Sequence, residues 1–449
     1  MNHTTPGIND SRKTNMKRRF TFGISLAVAA VVGLSACGEL LTVSDPQRYT
    51  ATDLDNALPA VANGVEGAVH EVIDSWVIYQ NLLGDIYQHT GTWSGYDETD
   101  HGWFIYGANS MQGVQNSLLR ARWFATAAEE RFVEVLGAEA ASSPLTAQAR
   151  LGGALADMVI GMTWCEAPLV EDGPAVSDMQ VLAQAIDKFT ATIATANSAG
   201  SSNIATAALA GRARAKLVMG DYAGAAADAA QVPDGFNYGA KFNNQSNNSI
   251  VTLTTATYNK AAGYQAKWWS LVDTDAAGPT HMRDPYTNEY DPRKPMYYVD
   301  GITATDNLTM HYSQWKFQVE TDDIPMLHSD AMRLIQAENL YRTNDYAGAM
   351  TILNQLRANV GLTAIAVPTD ATVMRDILLS ERDAELFMEG MRAVDLYRFG
   401  LTKEIFAAMN DAERPASGRP TKWPMSETEA LYNTNIVDDL AQRCLPVTN

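Results

Sequence analysis

Residues 380–400 read SERDAELFMEGMRAVDLYRFG, a stretch that sets eight charged side chains into an otherwise apolar helical pattern. Val373, Ile377 and Leu378 precede it at helical spacing, and Leu386 and Phe387 carry the apolar face past the first charges. Glu381, Glu385 and Glu389 recur every fourth residue, which predicts one acidic helix face with Arg382 beside it. Gly390 breaks the run, and Arg392, Asp395 and Arg398 return on a second short helix with Val394, Leu396 and Tyr397. Two helices around a tight glycine turn interleave these acids and bases. A carboxylate pair doing general acid and base work on a glycoside is one use of such a cluster. The spacing favours another: each acid has a base within helical reach, so the charges neutralise one another and fix how two helices meet. Glu381, Arg382, Glu385, Glu389, Arg392, Asp395 and Arg398 are therefore assigned to a structural ion-pair network.

Working outward, Gly220-Asp221-Tyr222-Ala223-Gly224-Ala225 returns as Asn344-Asp345-Tyr346-Ala347-Gly348-Ala349. Upstream of each copy, Ala213 and Leu217 correspond to Ala337 and Tyr341. Small residues at these points let two antiparallel helices approach closely around a short turn, which is the logic of tetratricopeptide pairs. Further helices are expected over 53–83, 114–136, 145–164 and 177–196 from their apolar periodicity. The fold class is therefore mainly α, built from degenerate tetratricopeptide-like pairs. The two clear copies lie 124 residues apart with irregular sequence between them, which argues against an open solenoid.

Aromatic residues gather in two places. Residues 86–106 read as a polar loop carrying Tyr87, Trp93, Tyr96, Trp103, Phe104 and Tyr106 beside Asp97, Asp100 and His101. Residues 232–325 are rich in Asn, Thr, Gly and Tyr, too long for a plain loop, and hold Trp268, Trp269, Tyr286, Tyr290, Tyr297, Tyr298 and Trp315. Within them, residues 250–255 alternate apolar and hydroxyl side chains like a short strand. This region is expected to be an inserted, partly β subregion forming one wall of a binding face with residues 93–106. Rings in such loops either stack on flat or ridged ligands such as sugars, with polar neighbours taking the hydroxyls, or plug gaps beneath a long loop. Trp93, Tyr96, Trp103, Trp268, Trp269 and Trp315 are the candidate ligand-binding residues.

Composition narrows the class. The 449-residue chain is 46% hydrophobic and 19% charged, as a globular protein is. Its net charge is −19, and removing residues 1–36, with five Lys or Arg against Asp10, takes it to −23. So acidic a surface argues against nucleic acid and against direct adhesion to anionic lipid. His70-Glu71 begins a metal-helix motif, but no second His follows at the required spacing, so His70 is read as structural. Asp273, Asp275, Asp322 and Asp323 lack a spaced calcium loop. No metal, cofactor or catalytic residue is assigned. The chain also lacks a Gly-x-Ser-x-Gly elbow and a phosphate-binding Gly-Lys loop.

The N-terminus has the three-part layout of an export signal: basic Lys17-Arg18-Arg19, an uncharged run over 20–36, and Leu34-Ser35-Ala36-Cys37 at its close. That run is shorter than the ~20 residues a transmembrane helix needs. The small residues before Cys37 resemble a bacterial lipobox, in which cleavage leaves Cys37 as an acylated N-terminus moored to a membrane surface. Residues 1–36 are thus expected to be a removed signal peptide, starting at Met1 or Met16, and 37–50 an extended lipidated leader. Cys165 and Cys444 are an even pair in an oxidising compartment; a bond between them is open, with free buried thiols the expectation.

Residues 380–400 also resemble the C-terminal signature of the SusD/RagB family of outer-membrane nutrient-binding lipoproteins. The shared positions are Glu381-Arg382, Glu385-Leu386, Glu389-Gly390, Arg392, Asp395-Leu396 and Arg398. Asp291-Pro292-Arg293 is similar to the family's central turn, and Arg333-Leu334-Ile335, Ala337-Glu338 and residues 354–357 with Gly361-Leu362 to its typical helix pair. Trp423-Pro424-Met425 departs from the family's usual Pro-containing segment, and the residues after Cys37 lack the acidic run some relatives use for export to the surface. The resemblance implies one SusD-like domain over 51–449 with long loops. It further implies a non-catalytic, surface-exposed lipoprotein of the outer membrane that delivers oligosaccharides, or in some members peptides, to a TonB-dependent SusC-like barrel. A tethered tetratricopeptide scaffold and a glycoside hydrolase are the other readings the sequence leaves open.

Overall fold

The helix α1 (Leu58–Leu83) carries Pro59 in its first turn, where the ring is tolerated, and buries Val61, Val65, Val69, Val72, Ile73, Trp76 and Val77. The computed structural model describes residues 55–103, 111–255, 257–275 and 278–436. Its helices and strands belong to one unit, residues 57–449. The expected signal peptide over 1–36 and leader over 37–50, with Cys37 and Met16, lie outside the described residues, as do Phe104, Tyr106 and Cys444.

Against α1 pack α3 (Met111–Leu136) and α4 (Pro144–Thr163), which follow α2 (Ser94–His101). Then come α5 (Asp178–Ser198), α6 (Ser202–Met219) and α7 (Tyr222–Ala229), each lying on its predecessor. The next neighbour in this row is α9 (Ser329–Arg342), followed by α10 (Tyr346–Asn359). The chain is thus mainly α, and α7 packs directly on α9. The second repeat copy stacks on the first, so the pairs continue through space although the sequence between them is irregular.

The repeated hexapeptide supplies the turn of each pair. Asp221 caps α7 by accepting from the Gly224 amide at 2.9 Å, and Asp345 caps α10 by accepting from Gly348 at 2.8 Å. A Cβ at Gly224 or Gly348 would run into that capping carboxylate. The second small residue of the repeat therefore serves the cap, a cause different from the helix approach the sequence suggested. Ala213 and Ala337, both fully buried, do mark the close approach.

Residues between α7 and α9 form the insertion. Strand β4 (Asn237–Ala240) pairs with β9 (Ile324–His328), and β6 (Gly278–Arg283), β7 (Tyr290–Thr303) and β8 (Met310–Gln314) make an antiparallel sheet. Strand β5 (Ala262–Tyr264) reaches back to β1 (Tyr87–His89), pairing Tyr87 with Tyr264 and His89 with Ala262. Residues 250–255 are not a strand: they lie in α8 (Ser249–Thr254) and its C-terminal cap. Asn248 accepts from the Ile250 amide, and Asp74 of α1 accepts from the Ser249 amide at 2.7 Å, so caps and a tertiary partner override the alternating pattern.

The expected loop over 86–106 is likewise part helix. Polar α2 has no apolar face. It is held by Asp100, whose carboxylate accepts from the His89 amide at 2.8 Å and from Arg414, and it ends at Gly102, φ +69°. Carboxylates once considered for calcium are engaged elsewhere: Asp323 with Lys241 and the Phe242 amide, Asp322 with the amides of Gln318 and Val319, and Asp273 with Tyr290. His70 stands 3.1 Å from the Tyr238 hydroxyl. Cys165 is disulfide-bonded, which corrects the expectation of free thiols.

Candidate functional site

The charged stretch divides into α11 (Ala371–Glu385), a turn, and α12 (Arg392–Phe399). The helix ends earlier than periodicity suggested. Met388 and Gly390 both have positive φ, and a side chain at 390 would press on the Trp76 ring. Glu389 consequently leaves the helix face shared by Glu381 and Glu385. Between the two helices, Arg382 makes a two-pronged pair with Asp395 at 2.8 and 2.9 Å, and Arg398 reaches the same carboxylate at 2.8 Å.

Every other partner comes from far along the chain. Arg398 also grips Glu338 of α9 at 2.8 and 2.9 Å, and Arg392 grips Asp85 just after α1 at 2.7 and 2.8 Å. Glu381 receives Arg293 of β7 at 2.9 Å and Arg357 of α10. Glu389 is held by Lys316 at 2.9 Å and His328 at 3.1 Å. The stretch is therefore a hub tying α1, α9, α10 and the β insertion together. Glu338, Glu381, Arg357 and Arg382 are almost wholly buried.

Two members stand apart. Glu385 meets only an edge of Arg293, at 3.3 Å, so burial dominates and pushes its carboxyl up to about 7, with Asp330 adding to the rise. Burial would raise Glu389 too, but Lys316 and His328 outweigh it and hold it down to about 2. Both line an open cavity of about 430 Å³ with Phe236, Arg293, Lys316 and His328. Carboxyls driven apart in this way resemble an acid and base pair. Here, however, Lys316 and His328 each hold one oxygen of Glu389, which makes it a paired carboxylate rather than a free base.

A second cavity, of about 440 Å³, is lined by Tyr79 of α1, Trp93, Ser94, Gly95 and Tyr96 of the α2 region, and Ser249, Thr252, Leu253 and Asn259 of the insertion. The insertion thus forms one wall opposite Trp93 and Tyr96. Trp93 is 46% exposed and meets Tyr96 edge to face at 5.7 Å. Tyr96 is braced by Tyr79 at 5.0 Å, and burial pushes its hydroxyl above the ordinary phenol range, so it is a neutral donor.

The remaining candidates lie elsewhere. Trp103, 50% exposed, stacks on His101 at 4.4 Å. Trp268 donates its indole N–H to the Asp85 carbonyl, and the ammonium groups of Lys267 and Lys294 each stand 4.7 Å from its ring centre. Trp269 donates to the Tyr264 carbonyl at 2.8 Å and stacks on Tyr312, itself stacked on Tyr298. Trp315 stacks on Tyr297 at 4.6 Å. The β1–β5 register sends the chain toward Trp93 from its His89–Ala262 end and toward Trp268 from its Tyr87–Tyr264 end. Of the six candidate rings, Trp93 and Tyr96 line the second cavity and the other four do not.

Sequence reasoning missed Ser249, Thr252 and Asn259, because a mis-assigned strand hid the helix that presents two of them. It also missed Asp85, whose signal was an acid directly after the apolar Leu82-Leu83-Gly84 end of a helix.

With this geometry in place, a family model described as the SusD family matches residues 310–434. Among solved structures, the fold is similar to a SusD superfamily protein from Bacteroides vulgatus, 12% identical with a TM-score of 0.68, covering 85% of this chain and 98% of that one. It is similar to a laminarin-binding SusD-like protein, 16% identical, TM-score 0.61, covering 84% and 98%. A surface glycan-binding protein A from Bacteroides uniformis gives 14%, 0.65, 85% and 99%. No curated protein matches. Residues 310–434 thus match the SusD family, and the fold of the chain is that of SusD superfamily structures.

Proposed function

We propose that the chain is a non-catalytic lipoprotein that captures oligosaccharides at the cell surface and passes them to a TonB-dependent SusC-like outer-membrane transporter. The observation that carries this reading is the half-exposed Trp93 indole at a cavity whose other walls hold Tyr79, Tyr96, Ser94, Ser249, Thr252 and Asn259. A sugar ring offers C–H groups to an aromatic face and hydroxyls to such a rim. Similarity to proteins described as laminarin-binding and surface glycan-binding supports the glycan class. Trp103, Trp268, Trp269 and Trp315 are assigned secondary contacts along a longer chain.

Anchorage follows from the lipobox-like Leu34-Ser35-Ala36-Cys37, with Cys37 the acylated residue. No helix among the described residues is long and apolar enough to cross a membrane. The absence of catalysis is supported by the acids of the hub, each of which faces a base, and by similar proteins being described as binding proteins.

A panel of neutral oligosaccharides and short peptides, screened against the purified chain and its Trp93→Ala variant, tests the reading. Oligosaccharide binding that weakens in the variant supports it. Retention of peptides alone, or release of shortened sugars, contradicts it.

A further inference from the structure

The cavity beside Trp93 differs in charge from the larger openings in the protein surface. The one next to Glu389 carries Arg293 and Lys316. The largest, about 980 Å³ between α3 and the hairpin of β2 (Glu166–Pro168) and β3 (Ala175–Ser177), carries Arg120, Arg122 and Lys188. Around Trp93, by contrast, no Lys, Arg or His among the described residues lines the wall. Lys260 follows the lining residue Asn259 in the chain, but its charge falls on the ring of His311 in β8, which it helps to depress after burial. His89, 5.9 Å behind Tyr96, is itself pushed down by burial, so it brings no positive charge either.

Behind the α8 wall of this cavity lies Asp74 of α1, only 4% exposed. Its carboxylate accepts from the Ser249 amide at 2.7 Å, from the Ser249 hydroxyl and from the Ser75 amide, and no Lys or Arg among the described residues pairs with it. Tyr96, on the opposite wall, is raised by burial, then by Tyr79 and then by Asp74, so the field of this carboxylate crosses the cavity. The same bond sets the polarity of the wall. The Ser249 hydroxyl commits its proton to Asp74, and the Thr252 hydroxyl commits its proton to the Ser249 carbonyl at 3.1 Å. Each then has only lone pairs to offer a ligand. A sugar hydroxyl donates to such groups. A carboxylate or a sulfate ester has no proton to donate, and it would enter without a cation while facing Asp74. The start of α2 at Ser94 and Gly95 would attract an anion, but Asp97 in its first turn offsets that pull.

We propose that the Trp93 cavity selects uncharged oligosaccharides and excludes uronic-acid and sulfated ones, with Asp74 the positioning residue that turns Ser249 toward the ligand as an acceptor. This rests on the glycan reading above and adds to it the class of glycan. A wall built to receive hydroxyl protons rejects an analogue that lacks them more strongly than a wall that only fits the ring.

Calorimetric titration near neutral pH tests this with pairs of glucose and mannose tetrasaccharides, each neutral chain beside its C6-oxidised uronate form. In the parent protein the neutral member is expected to bind at least about tenfold more tightly. In Asp74→Asn the amide can donate to Ser249 and turn its hydroxyl proton toward the ligand, so the ratio is expected to fall by at least about threefold. A thermal melt shows whether that variant is folded. Thr252→Val keeps the Asp74 bonds and removes one acceptor, so it is expected to weaken the neutral member at least about threefold more than the uronate. Uronates that bind the parent as tightly as the neutral chains overturn the inference and leave the glycan reading standing. Pairs of which neither member binds overturn that reading itself. An unchanged ratio in folded Asp74→Asn, or equal losses for both members in Thr252→Val, overturns the part given to Asp74 and the α8 wall.

Discussion

The α11–α12 hub and the Trp93 cavity are both dense clusters of residues that usually mark function, yet they are built on opposite principles. In the hub, buried Arg382, Arg398, Asp395 and Glu338 are joined by paired bonds of 2.8–2.9 Å. Such a network spends its charge on itself, buried and paired inside the protein. Around the cavity, the Trp93 ring keeps nearly half its surface in water, and its neighbours offer hydroxyl and amide groups. Residue type alone does not separate structure from binding; the fraction of each side chain's capacity already in use does.

The sharpest way to break this contrast is to unpair the hub. Arg382→Ala leaves Asp395 buried with one guanidinium, and the expected loss is about 3–5 kcal/mol of unfolding free energy in urea titration. A loss below about 1 kcal/mol would mean the hub is not structural.

Glu385 sharpens the contrast, because it is the hub acid least neutralised. Its folded value of about 7 lies above the ordinary 4.5, so the fold holds its proton more tightly than the unfolded chain does. The stability it contributes is full below pH about 4.5 and is lost as pH rises through 7. Glu389, held at about 2, acts in the opposite sense, its contribution being lost as pH falls from about 4.5 to 2. Glu385→Gln is therefore expected to be more stable than the parent at pH 8, by up to about 3 kcal/mol, and equal to it near pH 4. Thermal melts across that range measure the difference, and parallel profiles would refute it.

The smallest effect belongs to the repeated turns. Asp221→Ala and Asp345→Ala each remove one cap and are expected to cost about 1 kcal/mol, without touching ligand affinity. A loss of affinity in either would join the helical row to the binding site.

How far these regions could be read in advance follows from what fixes them. The long helices α1, α3, α4 and α5 bury a continuous apolar face, so periodicity finds them within a few residues. The repeat told of paired helices because its cap chemistry is local. By contrast, α2 is polar throughout and depends on Asp100 meeting Arg414, 314 positions away, a partnership no window of sequence contains. The hub's residues were visible as a group, but their main partners, Asp85, Arg293, Lys316 and His328, are set by the tertiary fold. For the rings, aromatic density located the two regions. It did not tell Trp93, nearly half open to water, from Trp268, whose indole N–H is bonded to the Asp85 carbonyl and whose ring meets two ammonium groups.

The central claim is that the Trp93 cavity binds sugar while the hub only holds it in shape. Calorimetric titration of one oligosaccharide from the binding panel into the parent chain and Trp93→Ala, with a thermal melt of each, tests it directly. The account predicts at least tenfold weaker binding in the variant, about 1.4 kcal/mol, with an unchanged melting temperature. Equal affinity in the two proteins would contradict it.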